Sequence, residues 1–321
     1  MEILTADIGG TNARFAIASL SADGIALAHI ETLKVAEHAS LESAWDAYAG
    51  RLGRPLPANL ALAVATPIDG DVLKFTNSPW VIRPASLAGR GNFSTFTLVN
   101  DFAAVAHAVA TLPEADFAHV AGPDAPLPAS GAITVLGPGT GLGVALLLRG
   151  AEGTRVVSTE GGHMDFAPLD SLEDRILERL RARFRRVSVE RIVSGPGLAA
   201  IHSALAVLEG RAIVEQTDAA LWASALAGED ALARAALDRW CLNLGAAAGD
   251  LALAHGAAAV VLAGGLAGRV APLLANSGFH ARFTAKGRFE ARMAALPIRR
   301  VTFDQPGLLG AAAAFLAEHG R

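Results

Sequence analysis

Two polar residues at the end of an apolar run could carry out acid–base chemistry. Asn100-Asp101 follows the apolar run Phe96–Val99 and precedes an alanine-rich stretch that predicts a helix over residues 103–110. A carboxylate at a strand-to-helix junction can accept a proton from a substrate hydroxyl as that oxygen attacks phosphorus. Aspartate is also a very common helix N-cap, and on these residues alone a capping role for Asp101 is the stronger interpretation.

Two glycine turns could bind phosphate groups. The first is Asp7-Ile8-Gly9-Gly10-Thr11-Asn12, and the second is Gly137-Pro138-Gly139-Thr140-Gly141-Leu142-Gly143. Glycine lets backbone N–H groups approach phosphate oxygens without a Cβ in the way, and the threonine hydroxyl adds a donor. Asp7, at the end of a predicted strand, could hold a water on Mg²⁺. An ordinary hairpin explains the first turn equally well.

The second turn fits neither of two common nucleotide motifs. It has no Lys-Ser or Lys-Thr tail, so it is not a Walker A loop, and it does not open a helix as a dinucleotide fingerprint does. Aligning Gly10-Thr11 with Gly139-Thr140 also aligns the flanking apolar residues, which indicates two related halves that each begin with a hairpin. Two such turns facing each other would suit the β- and γ-phosphates of a nucleotide.

Three further polar side chains could bind the hydroxyls of a polyol. Glu160 and His163 flank a glycine pair, and Glu190 precedes a turn that leads into a helix. The alternatives are a satisfied loop pair for Glu160 and His163, and a surface ion pair with a neighbouring arginine for Glu190. A metal site at Glu160 and His163 would need a third ligand, and none is evident nearby.

A third glycine motif follows a late apolar strand. Gly264-Gly265 comes after the predicted strand Ala258–Leu262 and would let an adenine or a ribose lie against the backbone. A plain strand-to-helix turn is the alternative, and taken alone it is the better one.

The elements that must position these residues alternate between strands and helices. The sequence predicts a helix over residues 172–184, with Ser171 as its N-cap and Asp174 at the capping-box position. Pro306 marks the start of a closing helix over residues 307–318. Further helices are predicted over residues 41–52, 218–227 and 231–254, and further strands over residues 3–7, 60–65, 133–136 and 298–303.

Composition narrows the class of protein. The 321 residues are 52% hydrophobic and 18% charged, which is typical of a well-buried α/β enzyme with two domains. The net charge of −4 argues against nucleic acid as a main partner, so the cluster of arginines 181, 183, 185 and 186 is interpreted as the solvated face and C-terminal end of a helix. One cysteine, Cys241, is predicted to lie in a helix core, and it excludes a disulfide or a cysteine-rich zinc site. No signal peptide or membrane span is predicted.

Taken together, these runs resemble the bacterial glucokinases of the proteobacterial type, within the hexokinase and actin-like ATPase superfamily. Glu160–Pro168 and Ser194–Leu198 are the most specific runs, whereas the glycine turns are shared across the superfamily. The matching runs, in the family's order, are Asp7–Phe15, Thr76–Trp80, Val99–Phe102, Gly137–Gly143, Glu160–Pro168, Val187–Gly197, Ala263–Leu266, Lys286–Phe289 and Pro306–Gly310.

The resemblance implies an α/β, two-domain actin-like ATPase fold, which is a duplicated ribonuclease H-like fold with an interdomain cleft. It implies a small α/β domain (1–110 plus 301–321) and a large α+β domain (111–300) that close over the substrates and exclude water. The implied reaction is transfer of the γ-phosphate of ATP to the 6-hydroxyl of glucose, the first step of glycolysis. The implied cofactors are ATP and Mg²⁺ without zinc, and the implied protein is a cytoplasmic homodimer.

Carried over residue by residue, the resemblance makes Asp101 the catalytic base and gives Asp7 an indirect, water-mediated contact with Mg²⁺. The implied glucose ligands are Asn100, Asp101, Glu160, His163 and Glu190. The implied nucleotide-binding residues are Ala6, Asp7, Ile8, Gly9, Gly10, Thr11, Gly137, Gly139, Thr140, Gly264 and Gly265.

Two alternatives stay open at this level. One is a kinase for another hexose, such as mannose or an N-acetylated sugar, because the size of the pocket at the sugar's 2-position cannot be read from the sequence. The other is a non-catalytic sugar sensor on a kinase fold, which would require loss of the base or of a phosphate turn. Both features are intact in this chain.

Overall fold

The computed structural model describes residues 1–75, 78–90 and 93–320. Thr76 and Asn77, which belong to one of the runs that carry the resemblance, lie outside the described residues. The strands are β1 (Glu2–Ile8), β2 (Asn12–Ser21), β3 (Gly24–Lys34), β4 (Asn59–Val64), β5 (Leu73–Lys74), β6 (Val81–Ile82), β7 (Thr95–Asn100), β8 (Phe117–Ala121), β9 (Gly131–Pro138), β10 (Leu142–Gly150), β11 (Gly153–Thr159), β12 (Ala259–Leu262) and β13 (Ile298–Val301). The helices are α1 (Leu41–Leu52), α2 (Pro84–Arg90), α3 (Asp101–Thr111), α4 (Ser171–Phe184), α5 (Gly195–Leu208), α6 (Asp218–Ala227), α7 (Ala231–Ala254), α8 (Gly265–Leu274), α9 (Phe279–Thr284), α10 (Glu290–Ala294) and α11 (Pro306–His319).

The chain divides into two compact units. Unit 1 consists of Met1–Pro113, Val156–Ser158 and Phe303–Arg321, and unit 2 of Glu114–Arg155 and Thr159–Thr302. Each unit has a sheet of its own with a hydrophobic core beside it.

The sheet of unit 1 has the strand order β3-β2-β1-β4-β7. Strands β1, β2 and β3 form antiparallel pairs, whereas β4 runs parallel to both β1 and β7. The last helix, α11, returns to this sheet, and the buried Thr5 hydroxyl on β1 donates a hydrogen bond to the Leu308 carbonyl at 2.8 Å. This contact fixes the start of α11 against the first strand.

The sheet of unit 2 repeats this pattern. Its strand order is β11-β10-β9-β12-β13-β8, in which β9 and β10 pair antiparallel and β12 runs parallel to β9 and β13. In each unit a hairpin with a Gly-Thr turn is therefore followed by parallel strands in the same spatial order. The two related halves predicted from the alignment of Gly10-Thr11 with Gly139-Thr140 are confirmed.

Most of the predicted elements are confirmed, but one helix cap is wrong. Helices α1, α6 and α7 have the predicted bounds. Helix α4 begins at Ser171, one residue earlier than predicted, and its N-cap is Asp170, whose Oδ1 accepts the backbone N–H of Glu173 at 2.9 Å. Both residue types are strong caps, and the extended backbone of Asp170 decides between them.

The core of unit 2 is built around the long helix α7. Cys241 is buried in this helix as predicted, and burial raises the pKa of its thiol to about 12.

In the part of the chain that the structure describes, no helix combines the length and the apolar character that crossing a membrane requires.

Candidate active site

In unit 1, three parallel strands end level with one another. Ile8 of β1 pairs with Val64 of β4, and Val64 pairs with Asn100 of β7. The first Gly-Thr turn and Asp101 therefore leave the sheet at the same edge. The carboxyl edge of parallel strands is where open α/β sheets bind their ligands.

Helix α3 is capped by Asn100 rather than by Asp101. The Asn100 Oδ1 atom accepts backbone N–H groups from Phe102 at 3.0 Å and Ala103 at 3.2 Å. Asp101 is the first residue of the helix, and its Oδ1 atom also accepts the Phe102 N–H, at 2.8 Å. The capping role considered for Asp101 thus belongs to its neighbour. The positive end of the helix dipole favours a negative charge at Asp101.

Asp7 lies at the same edge of unit 1 and is held by two neighbours. Its Oδ2 atom is 3.1 Å from Arg14 Nη1, and its side chain is 20% exposed. Burial raises the pKa of Asp7, and the charge and hydrogen bond of Arg14 oppose that rise. Gly307, at the start of α11, lies so close that a Cβ there would be 2.7 Å from the same oxygen. The carboxylate has little freedom to move.

The two Gly-Thr turns close themselves with backbone hydrogen bonds. Gly9 N–H donates to the Asn12 carbonyl at 3.0 Å, and Gly139 N–H donates to the Gly141 carbonyl at 2.8 Å. These two donors are engaged within the turns, so a phosphate would have to use others, such as those of Gly10, Thr11 and Thr140. Gly139 has no left-handed φ, and a Cβ there would meet nothing within 4 Å. The fold itself does not require glycine at position 139.

The glycine pair after Glu160 brings that segment onto strand β10. A Cβ on Gly161 would lie 3.1 Å from Val144 Cγ1, and one on Gly162 would lie 3.1 Å from Leu142 Cβ. The side chains of Glu160 and His163 are 64% and 56% exposed, and Glu160 Oε2 is 3.9 Å from His163 Nε2. The two polar groups are near one another and remain accessible.

Glu190 approaches the same place from the next segment. Val189 N–H donates to the Met164 carbonyl at 2.8 Å, which joins the segment of Glu190 to that of His163. The Glu190 Oε2 atom accepts the backbone N–H of Leu142 at 2.9 Å. The alternative of a surface ion pair with an arginine is wrong, since Glu190 contacts the second Gly-Thr turn instead.

The arginine cluster lies at the exposed C-terminal end of α4 as predicted, and Arg186 follows just past that end with its side chain 59% exposed. It donates through Nη2 to the carbonyl of His163 at 2.6 Å, and its Nε is 2.7 Å from Asp165 Oδ1. Arg183 of the same cluster stacks over the ring of Phe184, and Arg191 of the following segment stacks over that ring as well. Arg186 therefore contacts the backbone of His163 from an exposed position.

The run Ser194–Leu198 supports the second turn from behind. Ser194 caps α5 by accepting the Gly197 N–H at 3.2 Å, and Gly195 N–H donates to the Gly139 carbonyl at 2.7 Å. Two tryptophans, Trp222 and Trp240, donate to the carbonyls of Gly195 and Ser194 at 2.9 and 3.0 Å. The run Ser194–Leu198 therefore stabilises the second Gly-Thr turn through the bond from Gly195 to Gly139.

Gly264-Gly265 lies beside the second turn. The Ala263 N–H donates to the Leu136 carbonyl at 3.0 Å, so β12 ends next to β9, and α8 starts at Gly265. Gly264 has a φ of +90°, and a Cβ there would be 3.7 Å from the Pro138 carbonyl oxygen. The structure thus brings Thr140, Glu160, His163, Glu190 and Gly264-Gly265 together in unit 2, and Asp7, the first turn and Asn100-Asp101 together in unit 1.

Sequence reasoning did not find Arg186 or the backbone N–H of Leu142 as parts of this arrangement. Arg186 belongs to a run of arginines, and charge alone does not distinguish its role from that of its neighbours. The Leu142 N–H is a backbone group, so the residue type at position 142 does not reveal its role. Gly141 is the one residue-level signal, because a glycine at this position leaves room for the Glu190 carboxylate.

Comparisons with known proteins agree in one family. A family model described as Glucokinase matches residues 4–318. A glucokinase from Zymomonas mobilis subsp. mobilis is 57% identical over 316 residues and covers 98% of each chain, and one from Caulobacter sp. is 40% identical over 312 residues, covering 97% of this chain and 94% of its own. The crystal structure of a glucokinase from an Antarctic psychrotroph is similar with a TM-score of 0.84 and 35% identity, covering 97% of this chain and 98% of its own. The predicted two-domain actin-like ATPase fold is confirmed.

Proposed function

This chain belongs to the glucokinase family, and we propose that Asp101 is the base of its reaction. The enzyme is an ATP-dependent hexose kinase that transfers the γ-phosphate of ATP to the 6-hydroxyl of glucose, giving glucose 6-phosphate and ADP. The observation that carries the role of Asp101 is its place in the first turn of α3, where Asn100 already caps the helix. The carboxylate of Asp101 is therefore not required as the cap.

The proposed chemical step moves one proton and one phosphoryl group. The Asp101 carboxylate accepts the proton of the sugar's 6-hydroxyl while that oxygen forms a bond to the γ-phosphorus. The bond between the γ-phosphorus and the bridging oxygen breaks, and its electron pair leaves with ADP. The start of α3 stabilises the negative charge of Asp101 before the proton is transferred.

Each unit has a Gly-Thr turn that is proposed to bind phosphate groups of the nucleotide. The residues proposed for this task are Ala6–Thr11 in unit 1 and Gly137, Gly139 and Thr140 in unit 2, with Gly264-Gly265 near the adenosine. An unobstructed backbone at Gly139 supports this role, because a phosphate oxygen can approach where no Cβ stands.

Mg²⁺ fits this site as an ion held mainly by phosphates and water. In the described residues no group of three or more acidic, histidine or cysteine side chains could hold a metal by itself. Mg²⁺ is commonly bound through one or two carboxylates together with substrate phosphates, and Asp7 offers one carboxylate that would act through a water. When bound, the ion supplies positive charge that offsets the charge developing on the phosphoryl oxygens.

The residues proposed to bind sugar hydroxyls are Asn100 and Asp101 in unit 1, and Glu160, His163 and Glu190 in unit 2. Glu160 and His163 present exposed polar groups 3.9 Å apart, and Glu190 lies on the adjoining segment. Carboxylates and an imidazole are suited to neighbouring sugar hydroxyls, because they can accept hydrogen bonds from the O–H groups.

We further infer that the protein is a cytoplasmic homodimer. Light scattering on the purified protein tests its dimeric state.

The test of the function is a coupled ADP-release assay with a panel of sugars. Glucose is expected to give the highest specificity constant among glucose, mannose, fructose and N-acetylglucosamine. If another sugar gave a higher specificity constant than glucose, that sugar would be the preferred substrate. Glucose binding without ADP release in the presence of MgATP would indicate a sensor instead of a kinase.

A further inference from the structure

The carboxylate of Glu190 is built into the second Gly-Thr turn. Its Oε2 atom accepts the Leu142 N–H at 2.9 Å, at the point where the turn enters strand β10. A Cβ on Gly141 would overlap this same oxygen and lie 3.1 Å from Glu190 Cδ. Glycine at position 141 therefore makes room for the carboxylate, and only the Oε2 oxygen makes this contact.

The segment that contains Glu190 holds the turn at two points. One is the backbone bond from Gly195 N–H to the Gly139 carbonyl, at 2.7 Å. The other is the side chain of Glu190 on Leu142. These bonds lie on either side of Thr140, and Thr140 and Glu190 line the same cavity of about 120 Å³. The side-chain bond is the one that a ligand of Glu190 could change.

We propose that Glu190 is a positioning residue for the phosphate turn as well as a ligand of the sugar. This inference rests on the proposed function, because it takes Gly137–Thr140 as a phosphate site and Glu190 as a sugar ligand. One carboxylate then joins a sugar hydroxyl to the Leu142 N–H. Binding of the sugar and binding of the nucleotide are coupled through it, and such coupling is reciprocal.

The charge on Glu190 suits both tasks. An ionised carboxylate accepts several hydrogen bonds, and bonds to a charged acceptor are stronger than neutral ones. A glutamine in its place can still accept the Leu142 N–H through its amide oxygen but turns a donor toward the sugar. Alanine removes both contacts. The two substitutions therefore separate the positioning role from the sugar-binding role.

The experiment measures MgADP binding by calorimetry without sugar, and the KM for glucose, in four variants. In Glu190→Ala and in Gly141→Ala, MgADP binding should weaken by about tenfold to hundredfold, the value of one hydrogen bond to a charged group. In Glu190→Gln it should weaken by only about fivefold or less, because a neutral acceptor remains, while the KM for glucose rises by about tenfold or more. Gly141→Ala keeps the carboxylate and displaces only the flexible end of its side chain, so folding is expected to be normal.

Gly150→Ala is the matched control. Gly150 also lies in unit 2, at the far end of β10, has no left-handed φ, and a Cβ there would meet nothing within 4 Å. This variant should bind MgADP and glucose like the wild type. Thermal unfolding of all four variants shows that each is folded when it is measured.

The outcomes distinguish the positioning role of Glu190 from its proposed role as a sugar ligand. Unchanged MgADP binding in both Glu190→Ala and Gly141→Ala would overturn the positioning role, and a raised glucose KM in Glu190→Ala would then leave the proposed sugar site standing. Weaker MgADP binding in these variants with an unchanged glucose KM would support the positioning role and remove Glu190 from the sugar site.

Discussion

Asn100 Oδ1 accepts the backbone N–H of Phe102 at 3.0 Å and so caps helix α3 one residue before Asp101. Asn100 caps the helix in addition to its proposed contact with the sugar, and the adjacent Asp101 is the proposed base. Substitutions can therefore distinguish a loss of helix stability from a loss of chemistry.

We predict that Asp101→Asn folds normally and loses turnover by about 10²-fold to 10⁴-fold, the usual contribution of a general base. The amide cannot accept the proton of the 6-hydroxyl, whereas the cap at Asn100 is untouched. Steady-state kcat and a thermal melt measure the two effects. Substantial kinase activity in this variant would contradict the role of Asp101.

Asn100→Ala provides the comparison for stability. Loss of a side-chain cap lowers the free energy of unfolding by about 1 kcal/mol. Chemical denaturation should show a larger decrease in Asn100→Ala than in Asp101→Asn, whose amide oxygen can still accept the Phe102 N–H.

Gly139→Ala should weaken nucleotide binding without destabilising the fold. Position 139 has an ordinary φ, and a Cβ there would meet open space, so the added methyl group would stand where a phosphate is proposed to approach. We expect the KM for ATP to rise by about tenfold, with an unchanged unfolding midpoint. Equal kinetics in Gly139→Ala and Gly150→Ala would argue against a phosphate at this turn.

Removing the buried carboxylate of Glu173 should lower the free energy of unfolding more than removing an exposed ion-pair partner in unit 2. Its carboxylate is 1% exposed, contacts Arg282, lies 3.4 Å from Arg239 and accepts the Leu169 N–H at 2.9 Å. Glu173→Ala leaves the two guanidinium groups, which are 12% and 22% exposed, without this partner. Asp170 still contacts Arg239, so the expected loss is at the lower end of the range for a broken buried pair, about 3 kcal/mol of unfolding free energy, measured by denaturant titration.

The control for Glu173 is an exposed pair. Arg234 Nε and Asp238 Oδ1 are 3.1 Å apart on α7, with side chains 44% and 55% exposed. Asp238→Ala should cost less than about 1 kcal/mol because water screens the pair. Similar losses in the two variants would contradict the importance assigned to burial at Glu173.

Asp230 should contribute to the pH dependence of stability. The backbone N–H groups of Ala233 and Leu232, which donate to its Oδ1 atom at 3.1 and 2.7 Å, hold the pKa of Asp230 below its usual value. Because the folded pKa lies below the unfolded one, this stabilisation is present above about pH 4 and is lost as the pH falls through the folded pKa.

Asp230→Ser tests this dependence, since serine caps a helix without a charge. The unfolding free energy of the wild type should fall more steeply than that of the variant below about pH 4. Denaturant titrations between about pH 2 and pH 6 measure the two slopes. Parallel slopes would show that Asp230 does not contribute.

Local sequence was sufficient for most elements but not for their ends. The helix over residues 41–52 was predicted with its observed bounds, because its apolar spacing and cap lie within one segment. At α4 the sequence offers Asp170 and Ser171 side by side, and both residue types cap helices well. Asp170 is the cap because its backbone is extended, with φ −144° and ψ 165°, and its side chain accepts the Glu173 N–H.

The sequence by itself determined the duplicated hairpins, the class of fold and, through specific runs such as Glu160–Pro168, the family. These features depend on residue types within short stretches. There, glycine predicts a turn, the spacing of apolar residues predicts a strand or a helix, and polar side chains indicate a binding site. The contact between Glu190 and Leu142 joins residues 48 positions apart, and one partner is a backbone N–H that has no signature in residue type. Only the packing of the segment around Glu190 against strand β10 decides such a pairing, because its geometry depends on the folded chain between them.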